Sequence, residues 1–404
     1  MIYIHVPFCR SFCTYCDFYS EIAPEKECKG FEAFADAVLR EVSTRKEELG
    51  SPTSVNTLYI GGGTPSVLPL DVLGRIVERV RTASGKKDFA EFTIEVNPED
   101  IVEKGEEYVR ELASLGVNRV SMGIQSLDDG ILKWMNRRHD SSRAIDAFRL
   151  LRAGGLGNIS VDLIFGLTQL SDGTWRKTIE EVLALDPEHI SAYQLSIEGD
   201  STLGRMVASG KYQEADEEIC RRQYDILCSR LKAAGYRHYE ISNFAKPGFE
   251  AVHNSAYWRR VPYVGLGPGA HSLSSGNIRS WNSQKLRYSR EEEVLSPEDI
   301  RIERIMLPLR TDIGLPAEEL YSLSDPSVIE RLLSDGALEF SPSAPAGHGE
   351  VHPRFAAAEY RLSPQGPPAI MQEAPDNVML SGAKHLRIPE DHFFTSDEII
   401  RELI

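Results

Sequence analysis

The sequence predicts an α/β fold: a partial (β/α)6 barrel followed by a small winged-helix-like α+β module. Three observations carry that expectation. From residue 1 to about 200, β-branched runs alternate with amphipathic stretches, the pattern of parallel strands joined by right-handed helical crossovers. Residues able to do chemistry fall just past the predicted strands, where a barrel of this kind faces its ligand. Beyond about residue 288 the pattern gives way to short helices, short strands and proline-rich stretches.

The strands are expected over 2–6, 57–60, 92–96, 119–125, 159–165 and 189–196, and the helices over roughly 30–48, 70–84, 101–115, 141–153 and 174–185. The helix at 70–84 is typical. Val72, Leu73, Ile76, Val77 and Val80 recur at i, i+3 and i+4, which gives a half-buried helix one apolar face. A charged amphipathic helix over 214–235, containing Tyr224 and Leu227, closes the barrel region. The chain thus divides into a barrel at 1–212, a barrel-closing segment at 213–287 and a C-terminal module at 288–404.

At 404 residues with 41% apolar and 26% charged side chains, the composition is that of an ordinary globular protein of more than one domain. The net charge of −16, without a basic patch, argues against nucleic acid as a partner. No apolar run approaches the ~18 residues of a membrane-spanning helix, and no charged leader precedes an apolar core at the N-terminus. Six cysteines in a chain of this length are too few for a secreted disulfide scaffold. A cytoplasmic location is expected. Cys28, Cys220 and Cys228 read as structural thiols, packing like small apolar residues.

Three cysteines stand apart. Cys9, Cys13 and Cys16 form a CxxxCxxC string immediately after the first strand. Thiolates on one tight loop can converge on a metal centre. Zinc, a redox pair and buried thiols are the alternatives. Zinc structural sites usually bring four protein ligands, and no fourth follows closely; a disulfide would leave one cysteine over. A cubane 4Fe-4S cluster held by three thiolates keeps one iron open for a small chelating molecule.

The string from Tyr3-Ile4-His5-Val6-Pro7-Phe8-Cys9 through Tyr15-Cys16-Asp17-Phe18 resembles the radical S-adenosylmethionine (radical SAM) enzymes. Within them it is similar to the branch holding oxygen-independent coproporphyrinogen III dehydrogenase and the HemW-type haem chaperones. The resemblance implies a 4Fe-4S cluster on Cys9, Cys13 and Cys16, and SAM on its open iron. Reductive cleavage of SAM to a deoxyadenosyl radical is within the reach of such a cluster.

The strand ends supply the expected SAM site. Gly61-Gly62-Gly63-Thr64 follows the second strand; three glycines let a backbone approach a ligand and present its N–H and C=O groups, or make a tight turn. The resemblance assigns Gly62, Gly63 and Thr64, with Tyr3, to SAM. Glu95 ends the third strand and can accept from ribose hydroxyls or an ammonium, or simply face solvent. Gln125 ends the fourth and is both donor and acceptor. Arg137 follows, its fork suited to a carboxylate; Arg138 is the competing arginine, and His139 reads as a polar loop residue. Asp162 lies inside an apolar strand and must find a donor, either a ribose hydroxyl or a neighbouring side chain. Tyr193 and Gln194 end the sixth strand, with no indication of which faces inward.

His253-Asn254-Ser255-Ala256-Tyr257-Trp258, an HNxxYW string followed by the glycine-rich run 265–269, resembles the haem chaperones and not the dehydrogenase. Imidazole is a common axial haem ligand, and Tyr257 and Trp258 could lie against a porphyrin face. The bland alternative makes His253 a hydrogen-bonded loop histidine and Trp258 core. His271 is a second candidate ligand. Position 18, a cysteine in the dehydrogenase, is Phe18 here, and the chain starts at the cluster strand without the dehydrogenase's extension. Both departures weigh against porphyrinogen decarboxylation. The resemblance further implies haem as cargo, haem-accepting respiratory proteins as partners, a homodimer, and peripheral membrane contact.

In the C-terminal module, Glu291-Glu292-Glu293 is expected to open a charged helix running to about Arg310, with short helices over 315–322 and 326–335. Residues 341–350 and 363–376 read as exposed loops, 351–362 as a wing strand, and 377–404 as ending in a helix. A substrate-covering or partner-docking role suits an acidic module better than DNA binding.

Overall fold

The computed structural model describes residues 1–24, 29–341 and 384–404. The described chain separates into two compact units, Met1–Ile300 and Arg301–Ile404. The segment expected to close the barrel belongs to the first.

Six strands at the heart of the first unit are β1 (Ile2–Val6), β2 (Thr57–Gly62), β3 (Glu91–Val96), β4 (Arg119–Gln125), β5 (Ile159–Phe165) and β6 (His189–Gln194). A hairpin, β7 (Arg237–Glu240) and β8 (Asn243–Ala245), and a short β9 (Val264–Leu266) extend the sheet. The nine strands run in the order β9-β1-β2-β3-β4-β5-β6-β8-β7. Neighbours from β9 to β6 are parallel, and β8 turns antiparallel onto β6. The ends of the order do not pair, so the barrel is partial.

The crossovers follow the expected pattern, with helices at Leu70–Ser84, Pro98–Ser114, Ser141–Ala153, Asp172–Leu185 and Glu217–Ala233. The first crossover is not one helix. It breaks between Thr44 and Lys46 because Arg45 leaves helical geometry and its guanidinium turns into a buried network with Glu41, Glu48 and the Gly265 carbonyl. Val72, Leu73, Ile76, Val77 and Val80 are all buried, as their spacing requires. Two strand ends also move. β2 runs on to Gly62, held by pairing of Val6 with Gly62, and β6 stops at Gln194.

β10 (His271–Leu273), β11 (Ile278–Asn282) and β12 (Arg290–Val294) form an antiparallel meander. The glutamate run 291–293 is therefore a strand, not the start of a helix; the helix begins at Pro297. All of β12 is exposed, and charge on an exposed edge strand discourages further strand addition. The second unit contains helices Ala317–Leu323, Pro326–Ser334 and Ser396–Leu403 and a three-stranded sheet of Leu315–Pro316, His385–Arg387 and Glu339–Phe340. The expected wing strand at 351–362, the loops at 342–350 and 363–376, and Cys28 lie outside the described residues. Cys220 is buried and Cys228 half-buried. Among the described residues no helix is long and apolar enough to cross a membrane.

Candidate functional site

A cavity of about 690 Å3 opens at the carboxyl ends of the strands. Its rim carries Cys9, Cys13 and Cys16, and its walls carry Gly62, Gly63, Thr64, Glu95, Gln125, Arg137 and Asp162. Residues up to 153 positions apart in sequence are thus brought to one place by the parallel strand order.

The three thiols are half-buried and form no disulfide. Burial pushes the Cys16 thiol up to about 11, and that of Cys9 upward. Among the described residues no group of three histidines, cysteines or acids is arranged to hold a single metal ion. A cubane takes one thiolate at each of three corners, so thiols set apart around one loop fit it better than they fit zinc. Two donors already face the sulfurs: Thr64 Oγ1 lies 3.4 Å from Cys9 Sγ, and Arg137 Nη1 lies 3.3 Å from Cys13 Sγ. Hydrogen bonds and a guanidinium beside thiolates stabilise the negative charge a bound cluster carries.

The glycine run is stitched to the cluster strand. Gly63 N donates to the Val6 carbonyl at 2.8 Å and Thr64 N to the Phe8 carbonyl at 2.7 Å. A Cβ on Gly63 would come within 2.7 Å of the Phe8 carbonyl oxygen, and Gly62 takes φ 111°, so these two positions require glycine. Gly62 N donates to Glu95 Oε2 at 3.0 Å. The N–H groups expected to greet a ligand are therefore committed to the chain itself. What the run offers is close approach of the backbone and its carbonyl oxygens.

Glu95 also accepts from Tyr59 Oη at 2.7 Å, and burial raises its carboxyl to about 7. Arg137 is deeply buried. Its Nη2 donates to Asn97 Oδ1 (2.8 Å) and the Gly123 carbonyl (2.7 Å), while its Nε has no partner. A buried guanidinium N–H left unpaired at a cavity wall suits an anionic ligand group. Arg138 points elsewhere, toward Glu99 and Glu103. His139 is not the polar loop residue expected. It is buried between Glu99 and the Ile124 carbonyl, at 3.2 and 3.1 Å. Gln125 sits at φ 68°, just past a register shift in β4. Left-handed backbone costs a non-glycine residue energy, here at the edge of the site.

Asp162 finds its donors inside the barrel. Ser121 Oγ reaches its two oxygens at 3.0 and 3.1 Å, Ser191 adds a further bond, and burial raises its carboxyl. Tyr193 and Gln194 both line the cavity. Tyr3 does not; its hydroxyl pairs with His5 Nδ1 at 3.1 Å.

Tyr59, Asn97, Arg119, Ser121, Ser191 and Asn254 also line this cavity, and the sequence reading gave them no role. A signal existed for several. Tyr59 and Gly61, or Arg119, Ser121, Gly123 and Gln125, alternate with apolar residues, which puts them on one face of each strand. Arg119 is buried and its Nε has no partner.

The HNxxYW string forms a helix, Val252–Trp258, against β2 and β3. Glu91 accepts from Val252 N and His253 N at 2.7 and 2.9 Å, holding the helix start. His253 is 1% exposed. Its Nδ1 pairs with Thr57 Oγ1 at 2.8 Å and its Nε2 with Tyr257 Oη at 3.1 Å. Burial lowers the imidazole to about 3, so it is neutral. Tyr257 packs edge-on against Tyr263, and Trp258 bonds to Glu240. As placed, neither nitrogen of His253 faces a ligand, because the helix lies over the barrel interior and fills it. Asn254, not His253, reaches the cavity.

The radical SAM superfamily pattern matches residues 3–182. The haem chaperone HemW of Bacillus subtilis (strain 168) is 32% identical over 362 residues, 85% of this chain and 93% of that protein. The haem chaperone HemW of Synechocystis sp. (strain ATCC 27184 / PCC 6803 / Kazusa) is 32% identical over 345 residues, 80% of each. Among solved structures, coproporphyrinogen III oxidase (HemN) from Escherichia coli, a radical SAM enzyme, matches with a TM-score of 0.70 at 20% identity over 84% of each chain, a likeness of fold. A partial barrel with three thiols at the mouth, and relatives matched over most of their length, place this chain in the HemW family of the radical SAM superfamily.

Proposed function

We propose that this chain is a cytoplasmic haem chaperone. It carries a 4Fe-4S cluster on Cys9, Cys13 and Cys16, binds SAM in the cavity beneath it, and takes up haem for delivery to haem-accepting respiratory proteins. Homodimer formation and peripheral membrane contact belong to the same reading. A cluster bound at the loop supplies electrons to SAM. The chain's own part is to hold and orient. Gly62, Gly63 and Thr64 let the amino-acid end approach the loop, Arg137 faces its carboxylate, and Glu95, Gln125 and Asp162 accept from the nucleoside.

The observation that carries the chaperone reading over decarboxylation is Phe18. Two positions past the third ligand, where the dehydrogenase has a cysteine, this chain has a phenylalanine that lines the cavity mouth and is 67% exposed. A phenyl ring can neither ligate metal nor move a proton. Cavity size points the same way. About 690 Å3 is room for one ligand of ordinary size, and SAM takes most of it, so a porphyrin binds elsewhere on the protein.

The test uses one anaerobic, cluster-loaded preparation for two measurements: haem titration, and incubation with coproporphyrinogen III, SAM and a reductant. Haem binding without porphyrinogen turnover is expected. Protoporphyrinogen as product would overturn the reading.

A further inference from the structure

If haem is the cargo, a histidine must reach it. Among the described residues of Met1–Ile300, His5, His139, His189, His238 and His253 are all buried, and His271 alone is exposed. It lies on β10, and strand alternation decides which way it points. Ser272, Ser280 and Asn282 form the inner face of the meander and are buried. Arg45 Nη2 donates to Ser272 Oγ at 3.1 Å, and Asn282 Nδ2 donates to Glu41 Oε1 at 2.9 Å. These bonds clamp the inner face to the first crossover helix. The opposite face then carries His271, Leu273, Arg279 and Trp281 outward.

That outer face has what an iron porphyrin needs. His271 is directly opposite Trp281 in register, and their rings stack at 6.3 Å between centroids with 28° between planes. Leu273 is opposite Arg279, and the Arg279 charge is close enough to act on His271. Imidazole ligates the iron, Trp281 and Leu273 cover apolar porphyrin, and a guanidinium pairs with a propionate. Glu291 and Glu293 share the face on the edge strand β12 and repel propionates from that side. The rigid clamp beneath presents these groups without ordering cost.

Resting on the chaperone reading above, we propose that His271 on the outer face of the β10–β12 meander, and not the buried His253, is the axial ligand to the cargo haem, with Trp281, Leu273 and Arg279 completing the site.

The test titrates hemin into the cluster-loaded full chain and reads the Soret band and the ferric-haem EPR signal for wild type, His271→Ala, His271→Met, Trp281→Ala and His253→Ala. His271→Ala should lose the histidine-ligated signature and weaken binding by about tenfold or more. His271→Met should recover binding with an altered signature, and Trp281→Ala should weaken binding while keeping the signature. Loss of the signature in folded His253→Ala together with its persistence in His271→Ala would overturn the assignment. Should His253→Ala not fold, an unchanged titration for His271→Ala overturns it by itself. Failure of the wild-type chain to bind hemin at all would instead sink the chaperone reading on which this one rests.

Discussion

The mouth of the barrel and its floor are both built from polar side chains under specific sequence strings, yet they differ in kind. At the mouth, groups are left open: three half-buried thiols, an Arg137 Nε without a partner, and a cavity of about 690 Å3. At the floor, groups are closed on one another: His253 with Thr57 and Tyr257, and Glu91 with the start of the His253 helix. An unmet polar atom beside open space invites a ligand; a met one in a sealed interior holds the fold. The same residue type can therefore be a ligand in one place and a strut in another.

That contrast can be broken most sharply at the mouth. Alanine at Cys9, Cys13 or Cys16 should each abolish cluster loading, read as lost iron content and lost visible absorbance after anaerobic reconstitution. If one of the three retained a full cluster, the set of ligands would be wrong.

The boundary between mouth and floor is tested by pH. Burial lifts the Glu95 carboxyl from 4.5 to about 7. Between those values the unfolded chain has released a proton that the folded chain keeps, so folded stability falls as pH rises through this window. Glu95→Gln removes that penalty. Urea unfolding of variant and wild type at about pH 5 and about pH 8 should move in the variant's favour at the higher pH, by on the order of 3 kcal/mol at most. No change in the difference would mean that Glu95 is ionised throughout.

At the floor, His253→Ala should cost stability, about 2–3 kcal/mol, because it leaves buried Thr57 and Tyr257 hydroxyls unpaired. Unchanged unfolding would show that this side chain does not support the fold. Back at the mouth, Arg137→Lys keeps the charge and loses the fork. SAM affinity measured by equilibrium binding should fall about tenfold, ~1.4 kcal/mol, and an undiminished affinity would put the carboxylate elsewhere. Smallest of all, Tyr59→Phe removes one donor to Glu95 and should cost about 1 kcal/mol in unfolding free energy.

Much of the mouth was legible in the sequence because it depends on strand ends, and strand ends follow from local pattern. The β4 and β5 bounds match the runs read from β-branched periodicity, and the residues just past each strand met in one cavity. The floor was not legible, because its bonds are long in sequence. Thr57 and His253 are 196 positions apart, and nothing local in HNxxYW says that its histidine turns inward. The same holds for Tyr3, whose partner His5 only appears once β1 is placed beside its neighbours. The glutamate run at 291–293 misled through propensity: glutamate favours helix in isolation, but pairing with β11 made it an edge strand. Asp162 shows a partial success. An acid in an apolar strand demanded a donor, and two serines on the adjacent strands provide it.

The central claim is that three thiolates hold a cluster whose fourth corner is open to SAM. EPR of the reduced, anaerobically reconstituted chain with and without SAM addresses it directly. A 4Fe-4S spectrum whose g-values shift when SAM is added is the predicted result. A spectrum indifferent to SAM, or a preparation that holds no cluster with all three cysteines intact, would contradict it.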